Sequence, residues 1–80
     1  MSRQVTLYTR EDCSLCEEMK GVVREVAAEI PLEVEEVDVD RDPDLREKLG
    51  SEVPVLFING RKAFKYRVAA RELKGKLRQQ

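Results

Sequence analysis

The sequence predicts a single α/β domain over residues 1–80, in which helices flank a mixed four-stranded sheet in the order β-α-β-α-β-β-α. Three observations lead to this fold class. A chain of 80 residues has room for one small core. Segments with alternating apolar residues are interleaved with segments whose apolar residues recur at steps of three and four. Finally, an Asn-Gly pair between the last two alternating segments is typical of a tight antiparallel hairpin.

The first strand and the first helix are predicted within residues 5–30. Residues 5–8, Val-Thr-Leu-Tyr, alternate and carry β-favouring side chains, so they predict a short strand. Apolar residues then recur at helical spacing, which predicts an amphipathic helix that begins near Cys13 or Ser14 and ends before Pro31.

A second strand and a short second helix follow. Within residues 32–39 one pair of apolar positions is out of phase with the next pair, so we expect a bulge or a late start in the first half of this strand. Asp42 before Pro43 has the form of a helix N-cap with proline at the first helical position. Gly50 is expected to close this helix.

The last three elements are a hairpin and a helix. Residues 54–58, Pro-Val-Leu-Phe-Ile, contain four consecutive large apolar residues, as expected of a central strand that is buried on both faces. Asn59-Gly60 supplies the two positive φ angles of a type I′ turn, so residues 61–66 are predicted to return as an antiparallel edge strand. The apolar spacing within residues 70–77 predicts the final helix.

The composition excludes several classes of function. Fifteen Lys plus Arg against sixteen Asp plus Glu give a net charge of −1, which provides no strong positive field for nucleic acid or an anionic membrane. The chain has no histidine, and so no Ser-His or Cys-His couple and no histidine metal ligand. Neither a signal-peptide run nor an apolar stretch of about 18 residues is present. We therefore expect a cytoplasmic monomer without nucleic-acid or membrane partners.

One motif carries chemistry, the Cys-Ser-Leu-Cys segment after the first strand, in which Cys13 and Cys16 open the first helix. Residues at i and i+3 in a first helical turn bring two sulfurs within disulfide reach, and the first sulfur faces the positive end of the helix dipole. We expect Cys13 to be the exposed nucleophile, with its thiol pKa below the ordinary value. Cys16 is then a half-buried resolving thiol, and a cytoplasmic pair of this kind favours redox catalysis.

Two alternatives to redox catalysis remain open. Structural zinc needs about four protein ligands, so two cysteines without histidine require a partner chain. In this first alternative, the domain is a binding module in which Cys13 holds a metal or an iron–sulfur cluster between subunits. A structural disulfide is disfavoured, because a disulfide across four residues closes too small a loop to stabilise the fold much. The other alternative is therefore a buried cysteine pair without a chemical role.

Three segments together carry a resemblance to a known family. They are residues 8–16 at the end of the first strand, Val53-Pro54 before a central strand, and Asn59-Gly60, which turns that strand back. With these segments the sequence resembles the glutaredoxin-like branch of the thioredoxin superfamily, and the resemblance extends over essentially the whole chain. The resemblance implies a thioredoxin-like fold and a dithiol–disulfide oxidoreductase enzyme with a role in electron transport. It also implies a cis bond between Val53 and Pro54, against the Cys pair.

The resemblance assigns roles to residues beside the pair. Arg10, three positions before Cys13, matches a Lys or Arg that helps hold the carboxylate of glutathione and the thiolate. The backbone of Val53 matches the position that pairs with an extended substrate as an added strand, next to Pro54. Tyr8 either packs over the site or fills the sheet face. The implied substrates are protein disulfides or mixed disulfides, reduced through a Cys13/Cys16 cycle.

The sequence also departs from the family pattern. Glutaredoxins that use glutathione carry Gly-Gly followed by Ser or Cys and Asp where the last helix begins, and this segment binds the glutathione carboxylate. Residues 66–70 read Tyr-Arg-Val-Ala-Ala instead, and Ser14-Leu15 matches neither the Pro-Tyr of dithiol members nor the Gly-Phe-Ser pattern of cluster-carrying monothiol members. The reductant is therefore either glutathione or a flavoprotein of the thioredoxin-reductase type. No bound cofactor is expected beside the redox-active disulfide.

Four carboxylates surround Cys13 in the sequence: Glu11, Asp12, Glu17 and Glu18. Each of them disfavours a second negative charge nearby, although exposed charges are screened beyond about 8–10 Å. We therefore expect these carboxylates to limit the decrease in the Cys13 pKa, and we expect the site to prefer neutral or basic partners over anionic ones.

Overall fold

The computed structural model describes residues 3–79, which form one mixed four-stranded sheet and three α-helices. The strands are β1 (Arg3–Thr9), β2 (Leu32–Asp38), β3 (Val55–Ile58) and β4 (Arg61–Lys65); the helices are α1 (Ser14–Ala27), α2 (Pro43–Leu49) and α3 (Ala70–Arg78), and Val39–Arg41 form a 3-10 turn. The sheet order is β2-β1-β3-β4, with β1 and β2 parallel and the other neighbours antiparallel. The predicted fold class is confirmed. Among the described residues, no helix has the length and apolarity to cross a membrane.

The core lies between one face of the sheet and the helices α1 and α3. Val5 and Leu7 of β1 pair in register with Ile58 and Leu56 of β3, so these four side chains share a face, and none is more than 1% exposed. The apolar stripe of α1 and the buried residues of α3 complete the same cluster: Met19, Val23, Val26, Leu73 and Leu77. The helical spacing seen in the sequence therefore marks the residues that cover the central strands.

The bulge predicted in β2 is wrong. β1 and β2 pair without a register shift from Arg3–Leu32 to Thr9–Asp38. Two other features of the structure explain why the apolar residues of this segment change phase. Val34 remains 44% exposed at the sheet edge, where no further strand covers it, and Val39 leaves the strand to become buried in the 3-10 turn.

Local signals account for several element boundaries. Asp42 caps α2 by accepting a hydrogen bond from a first-turn N–H at 2.9 Å, and Pro43 is the first helical residue, as predicted. Asn59 and Gly60 have φ angles of 50° and 83°, which confirms the predicted turn conformation. Asn59 also donates its N–H to the Gln4 carbonyl at 2.8 Å and accepts the Gln4 N–H on Oδ1 at 3.1 Å. The turn is thereby fixed to the start of β1.

One boundary agrees with the prediction and is located more closely by the structure, and another differs from it. The helix α1 ends at Ala27, before the end of its apolar pattern, and the Ile30 N–H returns to the Val26 carbonyl at 2.8 Å in a closing turn. A helix ends before a proline because the proline ring disfavours helical backbone in the preceding residue. The strand β4 ends at Lys65, because Tyr66 adopts a left-handed φ of 70°.

Candidate active site

The strand pairing brings four loops to one end of the sheet. Thr9 at the end of β1 pairs with Asp38 at the end of β2, and Val55 at the start of β3 pairs with both Tyr8 and Lys65. The segments that follow β1, β2 and β4 and the segment that precedes β3 therefore leave the sheet at the same end. This end gathers the Cys pair, the acidic segment after β2, and the loop that leads into β3.

Cys13 and Cys16 form a disulfide at the start of α1. Cys13 is the N-cap residue with an extended backbone, and its Sγ accepts a hydrogen bond from the Cys16 N–H at 3.1 Å. The sulfur thus occupies the position in which a serine or aspartate oxygen caps other helices. In the reduced protein, this hydrogen bond and the positive end of the helix dipole both favour a negative charge on the Cys13 sulfur.

The two cysteines differ in accessibility. Cys13 is partly exposed and lines an open cleft, whereas Cys16 is 0% exposed. Cys16 was expected to be half-buried, and this was wrong because it lies on the same face of α1 as the core residues Met19 and Val23. A reactant from solvent therefore meets the Cys13 sulfur.

We expect the reduced protein to be alkylated at least about tenfold faster at Cys13 than at Cys16, because exposure and thiolate stabilisation both favour Cys13. The measurement is a short iodoacetamide pulse followed by mass analysis of the peptides. In the denatured protein the two rates should converge, which provides the control. Equal rates in the folded protein would contradict the assignment.

The cleft beside Cys13 is strongly acidic. It has a volume of about 1130 Å³ and lies between the β1–α1 loop, α1 and the segment that follows β2. Its charged lining consists of the acidic Glu11, Asp12, Glu17, Glu36, Asp38 and Asp42 and the basic Arg10, Lys20 and Arg41. Three of the four carboxylates singled out in the sequence line the cleft, and the end of β2 and the segment after it add the other three. Sequence spacing could not reveal this addition, because it depends on the parallel pairing of β1 and β2.

Arg10 is held by groups of the same chain. Its Nε and Nη2 donate to the two carboxylate oxygens of Asp40 at 3.2 and 3.1 Å, and its Nη1 donates to the Gly50 carbonyl at 3.2 Å. Arg10 therefore ties the β1–α1 loop to the 3-10 turn and to the end of α2. Its predicted role with glutathione stays a prediction, and a glutathione carboxylate would have to compete with Asp40.

The second cation of the cleft is also paired. The Lys20 ammonium donates to Glu17 at 2.9 Å and lies 3.8 Å from the Glu36 carboxylate. The hydrogen bond to Glu17 raises the pKa of Lys20 above its ordinary value, so this side chain remains charged at neutral pH. The lysine thereby offsets part of the acidic charge beside Cys13.

The loop before β3 contains the other predicted site residues. The bond between Val53 and Pro54 is cis, as the resemblance implied. Pro54 is buried, and its carbonyl accepts the Tyr66 N–H at 2.8 Å. Within residues 3–79, the peptide groups of Val53 have no hydrogen-bond partner, which leaves them open to an added strand. Ion pairs from Glu52 to Lys62 and Lys65 of β4 anchor this loop, and the hydrogen bond from Lys62 lowers the pKa of Glu52.

Tyr8 lies on the sheet face opposite to Leu7. Its ring packs edge to face on Phe57 with a centroid separation of 5.2 Å. Of the two roles expected for Tyr8, this contact corresponds to the filling of the sheet face, and any contact with substrate stays a prediction.

The disulfide, its place at the start of α1, the sheet order and the cis proline before β3 together define a thioredoxin-superfamily protein with a redox-type function. A family model described as the glutaredoxin-like domain (DUF836) matches residues 4–78. The chain therefore belongs to this glutaredoxin-like family, and the resemblance predicted from the sequence is confirmed.

Relatives in sequence and structure agree with this assignment. An uncharacterized protein of Mycobacterium tuberculosis is 34% identical over a match that covers 76% of this chain and 69% of the relative. The X-ray structure of the structural-genomics target XcR50 from X. campestris has a TM-score of 0.81 and 30% identity, and the match covers 95% of this chain and 97% of the other. The solution structure of reduced desulfothioredoxin from Desulfovibrio vulgaris Hildenborough has a TM-score of 0.76 and 27% identity, with coverage of 100% and 83%.

Among residues 3–79, no group of three or more His, Cys, Asp or Glu side chains is arranged to hold a metal ion. An iron–sulfur cluster bound through Cys13 would therefore need ligands from a second chain.

Proposed function

We propose that the protein is a thiol–disulfide oxidoreductase that reduces protein disulfides or mixed disulfides through Cys13 and Cys16. The observation that carries this proposal is a disulfide at a helix N-terminus with one accessible and one fully buried cysteine. A two-step exchange needs such an asymmetry, because one sulfur must meet the substrate while the other waits for the mixed disulfide. The activity suits the cytoplasm, where thiol systems keep cysteines reduced.

In the first step, the Cys13 thiolate attacks one sulfur of the substrate disulfide. A bond forms between Cys13 and that sulfur, the substrate disulfide breaks, and the other substrate sulfur leaves as a thiolate that takes a proton from water. The Cys16 thiol then loses its proton and attacks the Cys13 sulfur, which releases the second substrate thiolate. The substrate gains two electrons, and the protein dithiol is oxidised to the disulfide.

Two partners complete the proposed cycle. The substrate backbone adds to the loop before β3 as an extended strand, which the unpaired peptide groups of Val53 support. Glutathione or a flavoprotein of the thioredoxin-reductase type returns the two electrons. The similarity to desulfothioredoxin, whose structure is of the reduced form, supports a cycle between reduced and oxidised states.

Equilibration in graded mixtures of reduced and oxidised dithiothreitol tests the proposal. Free thiols are alkylated with a maleimide at each ratio and counted by intact mass. We expect one two-electron transition, with both thiols modified on the reducing side and neither on the oxidising side. A pair that remains reduced or oxidised across the whole series would contradict the proposal. Visible absorbance bands after anaerobic purification would instead favour the cluster-binding alternative.

A further inference from the structure

Most of the positively charged side chains around the disulfide form hydrogen bonds or ion pairs with carboxylates of the same chain. In the acidic cleft, Arg10 is bonded to both oxygens of Asp40, and Lys20 is bonded to Glu17. Arg41, the third cation of the lining, has no carboxylate within 4.0 Å in the described part of the chain, but it directly follows Asp40. The cleft therefore offers an incoming anion little positive charge that is not already neutralised.

The same pairing occurs towards β4, on the other side of α1. A groove of about 330 Å³ lies between α1 and the segment that precedes α3. Among the groups here that could bind an anion are the Ala69 N–H, directly before α3, and the Arg67 guanidinium. The Glu72 carboxylate accepts the Ala69 N–H at 2.9 Å, and the Glu18 carboxylate lies 4.0 Å from Arg67. Carboxylates of the chain therefore pair with the Ala69 N–H and with Arg67 in this groove, as they pair with Arg10 and Lys20 in the cleft.

We propose that this internal pairing disfavours anionic thiols and disulfides of low molecular weight, so that of the two possible reductants it favours the flavoprotein over glutathione, and that Asp40 and Glu72 are specificity-determining residues. The inference rests on the proposed function, because it concerns which disulfides reach Cys13. An anionic disulfide that binds through Arg10 has to displace Asp40, and one that binds through the Ala69 N–H has to displace Glu72. Elsewhere in the cleft it lies beside six carboxylates and three cations. Neutral and basic disulfides meet no such repulsion, and they form the preferred substrate class.

Three small disulfides of different charge provide the test: cationic cystamine, neutral bis(2-hydroxyethyl) disulfide and anionic oxidised glutathione. Reduced protein freed of reductant is mixed with each one, and the loss of alkylatable thiols is followed through one turnover. Each probe gains two electrons and leaves as two thiols, while the protein dithiol becomes the disulfide. Dividing each rate constant by that of dithiothreitol with the same probe removes the probe's intrinsic reactivity.

In the wild-type protein, the normalised rate constants should decrease from cystamine to the neutral disulfide to oxidised glutathione. Added salt should narrow the differences, because it screens the exposed charges. Asp40→Asn and Glu72→Gln should each raise the constant for oxidised glutathione about two- to fivefold, and the double variant about tenfold. The constant for the neutral disulfide should change by less than about twofold in these variants.

Glu25→Gln is the matched control, because it removes the same charge from an exposed position of α1. At 1.5 Å per residue, Glu25 lies about 18 Å along the helix from Cys13. Because exposed charges are screened over this distance, the Glu25→Gln variant should leave all three rate constants unchanged. A wild-type preference for oxidised glutathione, or variants that behave like Glu25→Gln, would overturn the specificity inference alone. If none of the three disulfides oxidises the reduced protein, the proposed function fails and the inference fails with it.

Discussion

The Cys13→Ser variant is expected to lose disulfide reduction by about a thousandfold or more, because a serine hydroxyl is not ionised at neutral pH and does not attack a disulfide. Cys13 is the cysteine that lines the cleft, and Cys16 is 0% exposed and cannot replace it. The measurement is the reduction of a disulfide-bonded protein such as insulin in the presence of dithiothreitol, after subtraction of the rate with dithiothreitol alone.

The Cys16→Ser variant separates the two steps of the reaction. It keeps the nucleophile but cannot resolve the mixed disulfide, so the substrate should remain attached to Cys13 and appear as an added mass. Cys13→Ser should form no such adduct, and Glu25→Gln, a change at an exposed position far along α1, should turn over normally. An adduct that forms equally well on Cys16 would reverse the assigned order of the thiols.

The second large effect concerns stability. Leu7→Ala should lower the free energy of unfolding by about 3–5 kcal/mol, because a buried leucine loses its transfer free energy and leaves a cavity. Leu7 is 0% exposed in the middle of β1 and pairs with Leu56, which is also fully buried. Small domains have a total stability near the lower end of about 5–15 kcal/mol, so the variant should be barely folded at room temperature. Urea unfolding measures the decrease as a lower midpoint.

Val5 and Val34 provide a matched control for this prediction. They are register partners on the same face of the sheet, yet Val5 is 0% and Val34 is 44% exposed. We expect Val5→Ala to cost about 1–3 kcal/mol and Val34→Ala less than about 0.5 kcal/mol. Equal costs would mean that β2 is more deeply covered than the structure describes.

The features that could be predicted from the sequence are those with local signals. The Asn59-Gly60 turn, the Asp42 cap and the start of α1 directly after Cys13 each depend on a few adjacent residues, and all three were predicted correctly. The cis bond before Pro54 came from the resemblance, because a cis form occurs in only about 5–6% of such bonds without that context.

The features that were missed depend on contacts between distant segments. The pairing of Arg10 with Asp40 joins residues 30 positions apart, and no periodicity signals it. The full burial of Cys16 depends on how α1 packs on the sheet, and the straight register of β2 depends on its place at the edge. For the candidate site, the nucleophile and its nearest carboxylates could therefore be predicted from the sequence, whereas the carboxylates of β2 and of the segment after it are brought to Cys13 only by the strand pairing.

The hydrogen bonds between Asn59 and Gln4 join positions 55 residues apart at the end of the sheet that lies away from the disulfide. They bind the hairpin to the first strand, so these strands can separate at that end only if both hydrogen bonds break. The loops at the opposite end can move without breaking them. We therefore expect the hydrogen-bonded amide protons of Gln4 and Asn59 to exchange with solvent more slowly than the amide protons of the loops beside the disulfide, and hydrogen exchange measures this difference.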